Sequence, residues 1–249
     1  ITTCRAKSEV GEFDYQGLSI FRIISDYPSR WRAYISLYNR PVVRQVEKIL
    51  KKIEPDVVHA NNIHFYLSYH CLKISKKYAQ VLVWTARDAM AFNYGKLVTR
   101  QYLENFDCRT TWRDHLKQAG KRWNPFRNFL IKRYLHYPDK LLAVSSALKI
   151  ALKQNGIKNV EVMHTGVDPN SWSIDENKTT RLRKKYNLEN KKVVLFGGRL
   201  SLAKGGKKAI EAIATVIKEI PDSVLLIVGR IDAYADQMKN EGSKLGINN

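Results

Sequence analysis

The sequence predicts an α/β fold built from two Rossmann-like, doubly wound domains. Two observations predict it. Short apolar runs end repeatedly in polar residues or glycine, and helical stretches separate most of these runs. The runs at 193–196 and 224–230 are continuously apolar, as expected for parallel strands that are covered on both faces. We place the two domains at 1–168 and 169–249, because 169–190 is polar and charged and suits a crossover between them.

Four strand-like runs and three helical stretches are predicted in the first domain. The strands are placed at 55–62, 81–88, 139–146 and 160–168, and the helices at 41–53, 66–78 and 146–154. In a parallel sheet the carboxyl ends of the strands meet at one edge, where ligands bind. Each polar strand end taken alone is better explained by a loop residue with satisfied hydrogen bonds than by a catalytic group. Together they predict a cleft lined by His59, Asn61, Arg87, Asp88, Ser145 and Gly166.

The stretch 92–138 interrupts this alternation with interleaved basic and aromatic residues. Asn124 and Pro125 predict a helix start, with the asparagine as the cap and the proline at the first helical position. The helix would then present one aromatic face, formed by Phe126, Phe129, Leu130, Tyr134 and Tyr137. Two interpretations stay open here. One is an amphipathic helix packed on the core, and the other is an interfacial element that faces anionic lipid.

The second domain opens with a strand, a glycine-rich turn and a helix. Residues 193–206 read VVLFGGRLSLAKGG, and apolar residues recur at helical spacing through 207–219. A Walker A loop and a dinucleotide fingerprint are both excluded, because neither glycine spacing is present. Glycines let a ligand approach the backbone, and a helix N-terminus offers free N–H groups to an anion. The turn therefore suits a phosphate or diphosphate between Arg199 and Lys204, although the same spacing fits two solvated loop charges.

Composition narrows the class of partner. The 249 residues carry a formal net charge of +20, which favours anionic partners such as nucleic acid, acidic lipid or phosphorylated substrates. Cys4, Cys71 and Cys108 are far apart and odd in number, so neither a disulfide framework nor a metal-ligand spacing is indicated. This predicts a reducing, cytoplasmic setting. No apolar run is long enough for a membrane-spanning helix. The first residue is not Met, so we expect the sequence to be a fragment.

Five segments, in order along the chain, resemble the retaining, nucleotide-sugar-dependent glycosyltransferases of family 4, which have the two-domain GT-B fold. The match at 193–213 is the most specific, because a GRL-x-x-x-KG pattern follows a strand and opens a helix. The other segments are less specific one by one. The five segments are PDVVHAN at 55–61, VLVWTARDAM at 81–90, DKLLAVSSALKIALKQNGI at 139–157, VEVMHTGVDPNSW at 160–172 and VVLFGGRLSLAKGGKKAIEAI at 193–213.

The resemblance implies roles for particular residues. Arg199 and Lys204 match the catalytic pair that grips the diphosphate of the sugar donor, and Gly198, Gly205 and Gly229 lie with them on the donor side. The polar strand ends of the first domain would line the acceptor side. The implied reaction moves a sugar from a nucleotide-diphosphate sugar to a lipid-linked or envelope polysaccharide or glycolipid acceptor. It retains the anomeric configuration and uses no metal ion and no cofactor beyond this co-substrate.

The sequence also departs from the family pattern. Arg87 stands where the family has histidine, and the glycine-rich opening strand and the E-x7-E segment are not found, so both domains are expected to be incomplete. Two alternatives to an active enzyme stay open: a basic nucleic-acid-binding protein and a catalytically degenerate relative. No nucleic-acid-binding motif is found, so no specific nucleic acid is expected as a partner. An anionic membrane surface is expected instead, with the protein peripheral on the inner face of the cell membrane.

Overall fold

A computed structural model describes residues 1–198, 200, 204–229 and 233–247. The chain divides into two compact units, Ile1–Gly166 and Val167–Asn249, which we call unit 1 and unit 2. Both units pair strands in parallel and join them through helices, so the predicted α/β class is confirmed.

Unit 1 holds two sheets. Its strands are β1 (Thr2–Cys4), β2 (Gly11–Tyr15), β3 (Leu18–Ile24), β4 (Val57–Asn61), β5 (Val81–Ala86), β6 (Lys140–Ala143) and β7 (Val160–Val162). Its helices are α1 (Arg32–Ile35), α2 (Arg40–Ile53), α3 (His70–Tyr78), α4 (Arg100–Asn105), α5 (Trp112–Ala119), α6 (Arg127–Tyr134) and α7 (Ser146–Gln154).

The larger sheet of unit 1 is parallel throughout, in the order β4-β5-β6-β7. Its four strands lie within the predicted runs, and α2 and α7 match the predicted helices closely. The helix predicted at 66–78 begins only at His70, because 63–69 forms turns. The smaller sheet, β1-β3-β2, pairs β2 antiparallel with β3. No element was predicted before residue 41, since the exposed hairpin of β2 and β3 gives little apolar periodicity.

Helix α6 differs from the prediction in its start and in its buried face. The side chain of Asn124 accepts a hydrogen bond from the Phe126 N–H (3.1 Å), so it caps a turn that precedes the helix. The buried face carries Arg127, Ile131 and Leu135, which are four residues apart. Phe126 and Phe129 are each 67% exposed. The predicted aromatic face is therefore wrong for these two rings, whereas Leu130, Tyr134 and Tyr137 pack against the core.

Unit 2 contains α8 (Glu176–Lys185), β8 (Lys192–Gly197), α9 (Gly206–Glu219), β9 (Ser223–Val228) and α10 (Ala233–Lys244). Strands β8 and β9 are parallel, with Val194 opposite Leu225. Helices α9 and α10 contribute Ile210 and Met238 to one small core. Leu195 of β8 is 65% exposed. Among the described residues of unit 2, α9 and α10 pack on the same face of this sheet, so the expected helices on both faces are not seen there.

Within the part of the chain that the structure describes, no helix combines the length and the apolar character that crossing a membrane requires.

Candidate functional site

The glycine-rich turn of unit 2 begins where β8 ends. The N–H of Gly198 donates to the carbonyl of Val228 (2.8 Å), which extends the pairing of β8 and β9 by one residue. Gly198 has a φ of +125°, and a Cβ built there would meet no atom within 4 Å. Gly229 follows β9 directly and is exposed. Gly198 and Gly229 therefore lie side by side at the carboxyl edge, where a ligand can reach the backbone.

The same turn ends at the N-terminus of α9. Gly205 is the N-cap residue, with a φ of +79°, and no side chain of a described residue caps the helix. The first N–H groups of a helix carry a partial positive charge and bind anions when no side chain occupies them. Lys204 precedes this terminus, is exposed, and makes no ion pair or hydrogen bond to any described residue. Arg199 lies outside the described residues.

Gly206 sets how closely the turn packs on the helix. A Cβ at Gly206 would lie 2.8 Å from the carbonyl carbon of Leu200, which is backbone and cannot rotate away. Leu200 is itself buried against Ile210 and Met238. The absence of a side chain at Gly206 therefore lets the turn fold back onto α9 and holds Lys204 at the helix start.

Two of the predicted residues in unit 1 have local structural roles. The hydroxyl of Ser145 accepts a hydrogen bond from the Leu148 N–H (3.1 Å) and caps α7. The carboxylate of Asp88 accepts a hydrogen bond from the Met90 N–H (2.9 Å) and caps the short 3-10 helix Ala89–Ala91. Both side chains are thus engaged in ending one element and starting the next.

The ends of β4 and β5 bring three other predicted residues close together. His59 Nε2 lies 2.7 Å from the Thr85 hydroxyl, and Arg87 Nε donates to the Asn61 side-chain oxygen at 3.4 Å. These contacts follow from the parallel register, in which Asn61 is opposite Thr85. Gly166 is exposed. Neither Ser145 nor Gly166 is hydrogen-bonded to the other predicted residues within the described ranges.

Asp88 also has a neighbour that the sequence did not predict. His64 Nε2 lies 3.5 Å from Asp88 Oδ2, and His64 comes from the turns after β4. Burial lowers the pKa of His64 below its usual range, and the Asp88 carboxylate opposes that shift only in part. An imidazole therefore stands beside Asp88 even though position 87 is arginine. No sequence pattern announced it, because a single histidine in a loop carries no periodicity.

The stretch 92–138 forms one wall of a cavity of about 470 Å³ in unit 1. Aromatic rings and amide groups line it, together with one lysine and one histidine. The lining includes Tyr94, Trp112, His115, Trp123, Asn128 and Lys132. Other rings of the same stretch point outward: Phe106 is 79% exposed and Phe129 is 67% exposed. The stretch therefore contributes both to the core of unit 1 and to an apolar, basic surface.

Comparison with protein families divides the chain a few residues after the boundary between unit 1 and unit 2. Residues 6–171 match the family described as Glycosyltransferase Family 4, and residues 178–249 match the one described as Glycosyl transferases group 1. The chain belongs to glycosyltransferase family 4. The first match alone covers more than half of the sequence, and the boundary between the two matches falls in the polar segment that follows unit 1.

Curated relatives of this family 4 chain are similar over about a third of its length. A putative glycosyltransferase, YtcC, from Bacillus subtilis (strain 168) is 40% identical over 86 residues, which are 32% of the chain and 21% of YtcC. A GDP-mannose-dependent alpha-(1-6)-phosphatidylinositol monomannoside mannosyltransferase from Mycolicibacterium smegmatis is 31% identical over 88 residues, or 35% of the chain and 23% of that protein. The matched part thus spans under a quarter of each relative.

Solved structures share the fold. HepE of Anabaena, crystallised with UDP and glucose, superposes with a TM-score of 0.54 at 17% identity over 92% of the chain and 53% of HepE. A glycosyltransferase from Rickettsia africae ESF-5 gives a TM-score of 0.56 at 18% identity, again over 92% and 53%. The chain therefore spans about half of each of these proteins, and the predicted GT-B class is confirmed at the level of the fold.

Proposed function

We propose that this protein is a retaining glycosyltransferase that transfers a sugar from a nucleotide-diphosphate sugar without a metal ion. The observation that carries the proposal is the turn between β8 and α9. Its glycines leave the backbone open, and no side chain that the structure describes caps its helix N-terminus. Lys204 stands beside this terminus without a partner among the described residues. Such a turn supplies fixed positive charge for a diphosphate, in a chain whose family uses nucleotide sugars as donors.

The chemistry needs that charge at one place. When the bond between the anomeric carbon and the diphosphate breaks, negative charge builds on the leaving oxygen. Cations that are already in position stabilise this charge more in the transition state than in the ground state. A charge-assisted hydrogen bond contributes about 1.5–3 kcal/mol, or about one to two powers of ten in rate. Lys204 and the first N–H groups of α9 take this role, together with Arg199.

The acceptor side is assigned to the ends of β4 and β5. Arg87 and Asn61 are joined by a hydrogen bond, and His59 lies against Thr85 next to them. These groups are suited to binding sugar hydroxyls, because they combine donors and acceptors at one edge. Ser145 and Gly166 stay as weaker candidates for the same cleft. We infer that the acceptor is a lipid-linked or envelope glycan.

The stretch 92–138 is assigned to an anionic membrane surface at the inner face of the cell membrane. Phe126 and Phe129 are each 67% exposed, and Arg133 and Lys121 lie exposed in the same stretch. Aromatic rings insert at headgroup depth, and each nearby cation contributes about 1 kcal/mol that salt screens. The exposed rings favour a membrane over nucleic acid, whose binding comes mostly from counterion release.

Co-sedimentation with acidic and neutral vesicles across a salt series tests the membrane assignment. Binding to acidic vesicles that survives salt in part, and that falls when Phe126 and Phe129 are both replaced by serine, supports it. Trp172→Ser is the matched control, because Trp172 is also exposed, at 76%, but lies outside the stretch. Tight binding to DNA or RNA without vesicle association overturns the assignment in favour of the nucleic-acid alternative.

A donor screen on the full-length protein tests the enzymatic proposal. The panel includes UDP-sugars and GDP-mannose, because HepE was crystallised with UDP and the Mycolicibacterium relative is named for GDP-mannose. The measurement is release of nucleotide diphosphate. Release with one donor that Lys204→Ala abolishes supports the proposal. If the folded protein releases no nucleotide with any donor in the presence of a mixture of glycan acceptors, the alternative of a catalytically degenerate relative is favoured. That alternative was suggested by Arg87, which stands where the family has histidine.

A further inference from the structure

Three arginines from separate segments of unit 1 surround one small cavity. Arg32 begins α1, Arg122 ends the short 3-10 helix Gly120–Arg122, and Arg127 begins α6. Arg127 is only 3% exposed and Arg32 is half-buried. Arg127 faces the core of unit 1, so it is not one of the surface cations of the stretch 92–138.

Hydrogen bonds hold the segments around this cavity in place. The side chain of Asn124 donates to the carbonyl of Ala33 (3.2 Å), which ties the chain before α6 to α1. The hydroxyl of Tyr94 donates to the carbonyl of Asn124 (2.7 Å), and the guanidinium of Arg127 lies 4.7 Å from the centre of the Tyr94 ring. The cavity is therefore a fixed feature of unit 1 and does not depend on flexible side chains meeting by chance.

No carboxylate neutralises these arginines. Arg127 donates to the carbonyl of Met90 and to Asn128 Oδ1, both uncharged acceptors, and the ring of Phe65 lies against Arg32. Within the described residues none of the three arginines forms an ion pair. Asp88 is the acidic group whose charge reaches Arg32 and Arg127, but its carboxylate is the helix cap that lies 3.5 Å from His64.

Burial disfavours the charged form of two of these arginines. Burial lowers the pKa of the Arg127 guanidinium, and burial together with the charge of Arg122 lowers that of Arg32. Arginine stays charged in proteins, so the shifts report an unfavourable charged state and not a neutral one. An unpaired buried charge is strongly unfavourable, and an anion placed between the guanidinium groups removes most of that cost.

A buried hydroxyl adds an independent observation at the same place. Ser36, just after α1, is 2% exposed and lines the cavity with the three arginines. Its Oγ is buried and has no hydrogen-bond partner among the residues that the structure describes. Buried polar atoms nearly always have a partner, so an unpaired one beside three cations indicates a missing ligand that accepts hydrogen bonds. A phosphoryl group has three acceptor oxygens and matches both the guanidinium groups and the hydroxyl.

We propose that Arg32, Arg122, Arg127 and Ser36 form a binding site for a phosphoryl group carried by the acceptor. The assignment to the acceptor rests on the proposed function, in which the donor diphosphate is bound by the turn between β8 and α9. Met90, which bonds Arg127, follows β5 by four residues, so the site lies beside the β5 end that was assigned to the acceptor. The acceptor class is therefore a phosphorylated glycan or a lipid with a phosphate headgroup.

Direct binding of inorganic phosphate, measured by calorimetry on the full-length protein without donor, tests the site. We expect Arg32→Ala and Arg122→Ala each to weaken phosphate binding about tenfold or more, as for loss of one charge-assisted hydrogen bond. These two are chosen because neither is fully buried, so the variants should fold. Arg44→Ala is the matched control, since Arg44 is an exposed arginine on α2. Equal affinities in all three variants, or no binding by the wild type, overturn the proposal.

Ser36→Ala separates a ligand-binding role from a structural one. Removing a buried hydroxyl that has no partner should leave the thermal midpoint unchanged or raise it, because no bond is lost. Phosphate affinity should fall at least threefold in the same variant. A lowered midpoint with unchanged phosphate affinity contradicts the site, since it would mean that the hydroxyl serves the fold alone.

Two further arms identify the source of the phosphoryl group. A short-chain phosphatidylinositol below its micelle concentration and a water-soluble sugar phosphate are each titrated against inorganic phosphate. Tighter binding of either one than of inorganic phosphate, lost in Arg122→Ala, supports an acceptor role and names its class. If the protein transfers sugar to a neutral glycan but binds no phosphate, the phosphoryl site is contradicted and the proposed function is retained. If it binds phosphate but releases nucleotide from no donor, the site is retained and the proposed function is contradicted.

Discussion

The carboxyl end of the large sheet in unit 1 and the turn after β8 in unit 2 look alike in sequence but differ in structure. In unit 1 the polar side chains have protein partners: Ser145 and Asp88 cap helices, and His59 contacts Thr85. In unit 2 glycines replace side chains along the backbone, and Lys204 has no partner among the described residues. At the first edge Ser145 and Asp88 serve the architecture of unit 1, whereas at the second edge no described residue engages Lys204.

The difference gives a criterion for recognising a site. A polar residue at a strand end indicates ligand binding only when its hydrogen-bonding capacity is not already used, because a helix cap alone stabilises a protein by about 1 kcal/mol. By this criterion Ser145 and Asp88 are weaker candidates for ligand binding, because both cap helices. Arg32, Arg122 and Ser36 are stronger ones, since none of them has an ion pair or, for the Ser36 hydroxyl, a hydrogen-bond partner among the described residues.

The largest effect is expected at Lys204, which lies in the β8–α9 turn and has no ion-pair partner among the described residues. Lys204→Ala should reduce transfer by about tenfold to a hundredfold or more, and Arg199→Ala by a similar factor, because each would remove a charge that faces the leaving diphosphate. Steady-state nucleotide release measures the effect. Lys208→Ala is the control, since Lys208 lies two residues into α9 but pairs with Glu211 at 3.0 Å. Equal turnover in the Lys204 and Lys208 variants would remove the diphosphate assignment.

A substitution at Gly206 tests how closely the β8–α9 turn packs against the start of α9. Gly206→Ala should destabilise the protein by about 1–3 kcal/mol, because its Cβ would overlap the Leu200 backbone at 2.8 Å. Gly242→Ala in α10 should change stability in the opposite direction by about 0.5–1 kcal/mol, since its Cβ would meet only side-chain atoms at 3.9 Å. Urea unfolding compares the two. A Gly206 variant as stable as the wild type would show that the turn has room to shift.

The pH dependence of folding stability tests His64, which lies beside the helix cap Asp88 in unit 1. Burial lowers the pKa of His64 from its usual value of 6.5, so as the pH falls through that value the unfolded chain takes up a proton that the folded chain does not. Stability should therefore decrease from pH 7 towards pH 5.5, at no more than about 1.4 kcal/mol per pH unit for this one histidine. His64→Gln should flatten the curve. A stability that rises over the same interval would contradict a buried, neutral His64.

The smallest effect is expected at Ser145, the N-cap residue of α7. Ser145→Ala should lower the free energy of unfolding by about 1 kcal/mol, because the Leu148 N–H loses its partner. Ser145→Asn restores a cap and should restore stability. Denaturant unfolding and nucleotide release are measured on both variants. If Ser145→Asn is as stable as the wild type yet loses transfer, the side chain serves the acceptor as well as the helix.

Much of the fold and of the glycine-rich turn after β8 could be predicted from the sequence because both depend on residues that are close together in the chain. Short apolar runs with polar ends and period-3.6 patterns placed the strands of the large sheet, α2, α7 and α9 near their observed bounds. The spacing of glycines around Lys204 sufficed for the turn, since a helix N-terminus and its preceding loop form one local unit. The hairpin of β2 and β3 escaped prediction because its residues are mostly exposed and carry little apolar pattern.

Only the tertiary structure decided which polar groups are free. Whether Ser145 or Asp88 is available depends on the N–H groups next to them, and Arg127 becomes a core residue only because α6 turns that face inward. Arg32 and Arg127 are 95 positions apart in sequence, yet α1 and the start of α6 bring them to one cavity. The sequence shows how many basic residues the protein has, but not which of them are buried. Burial and the absence of a counter-charge, which arise only when distant segments pack together, determine which of them need an anion.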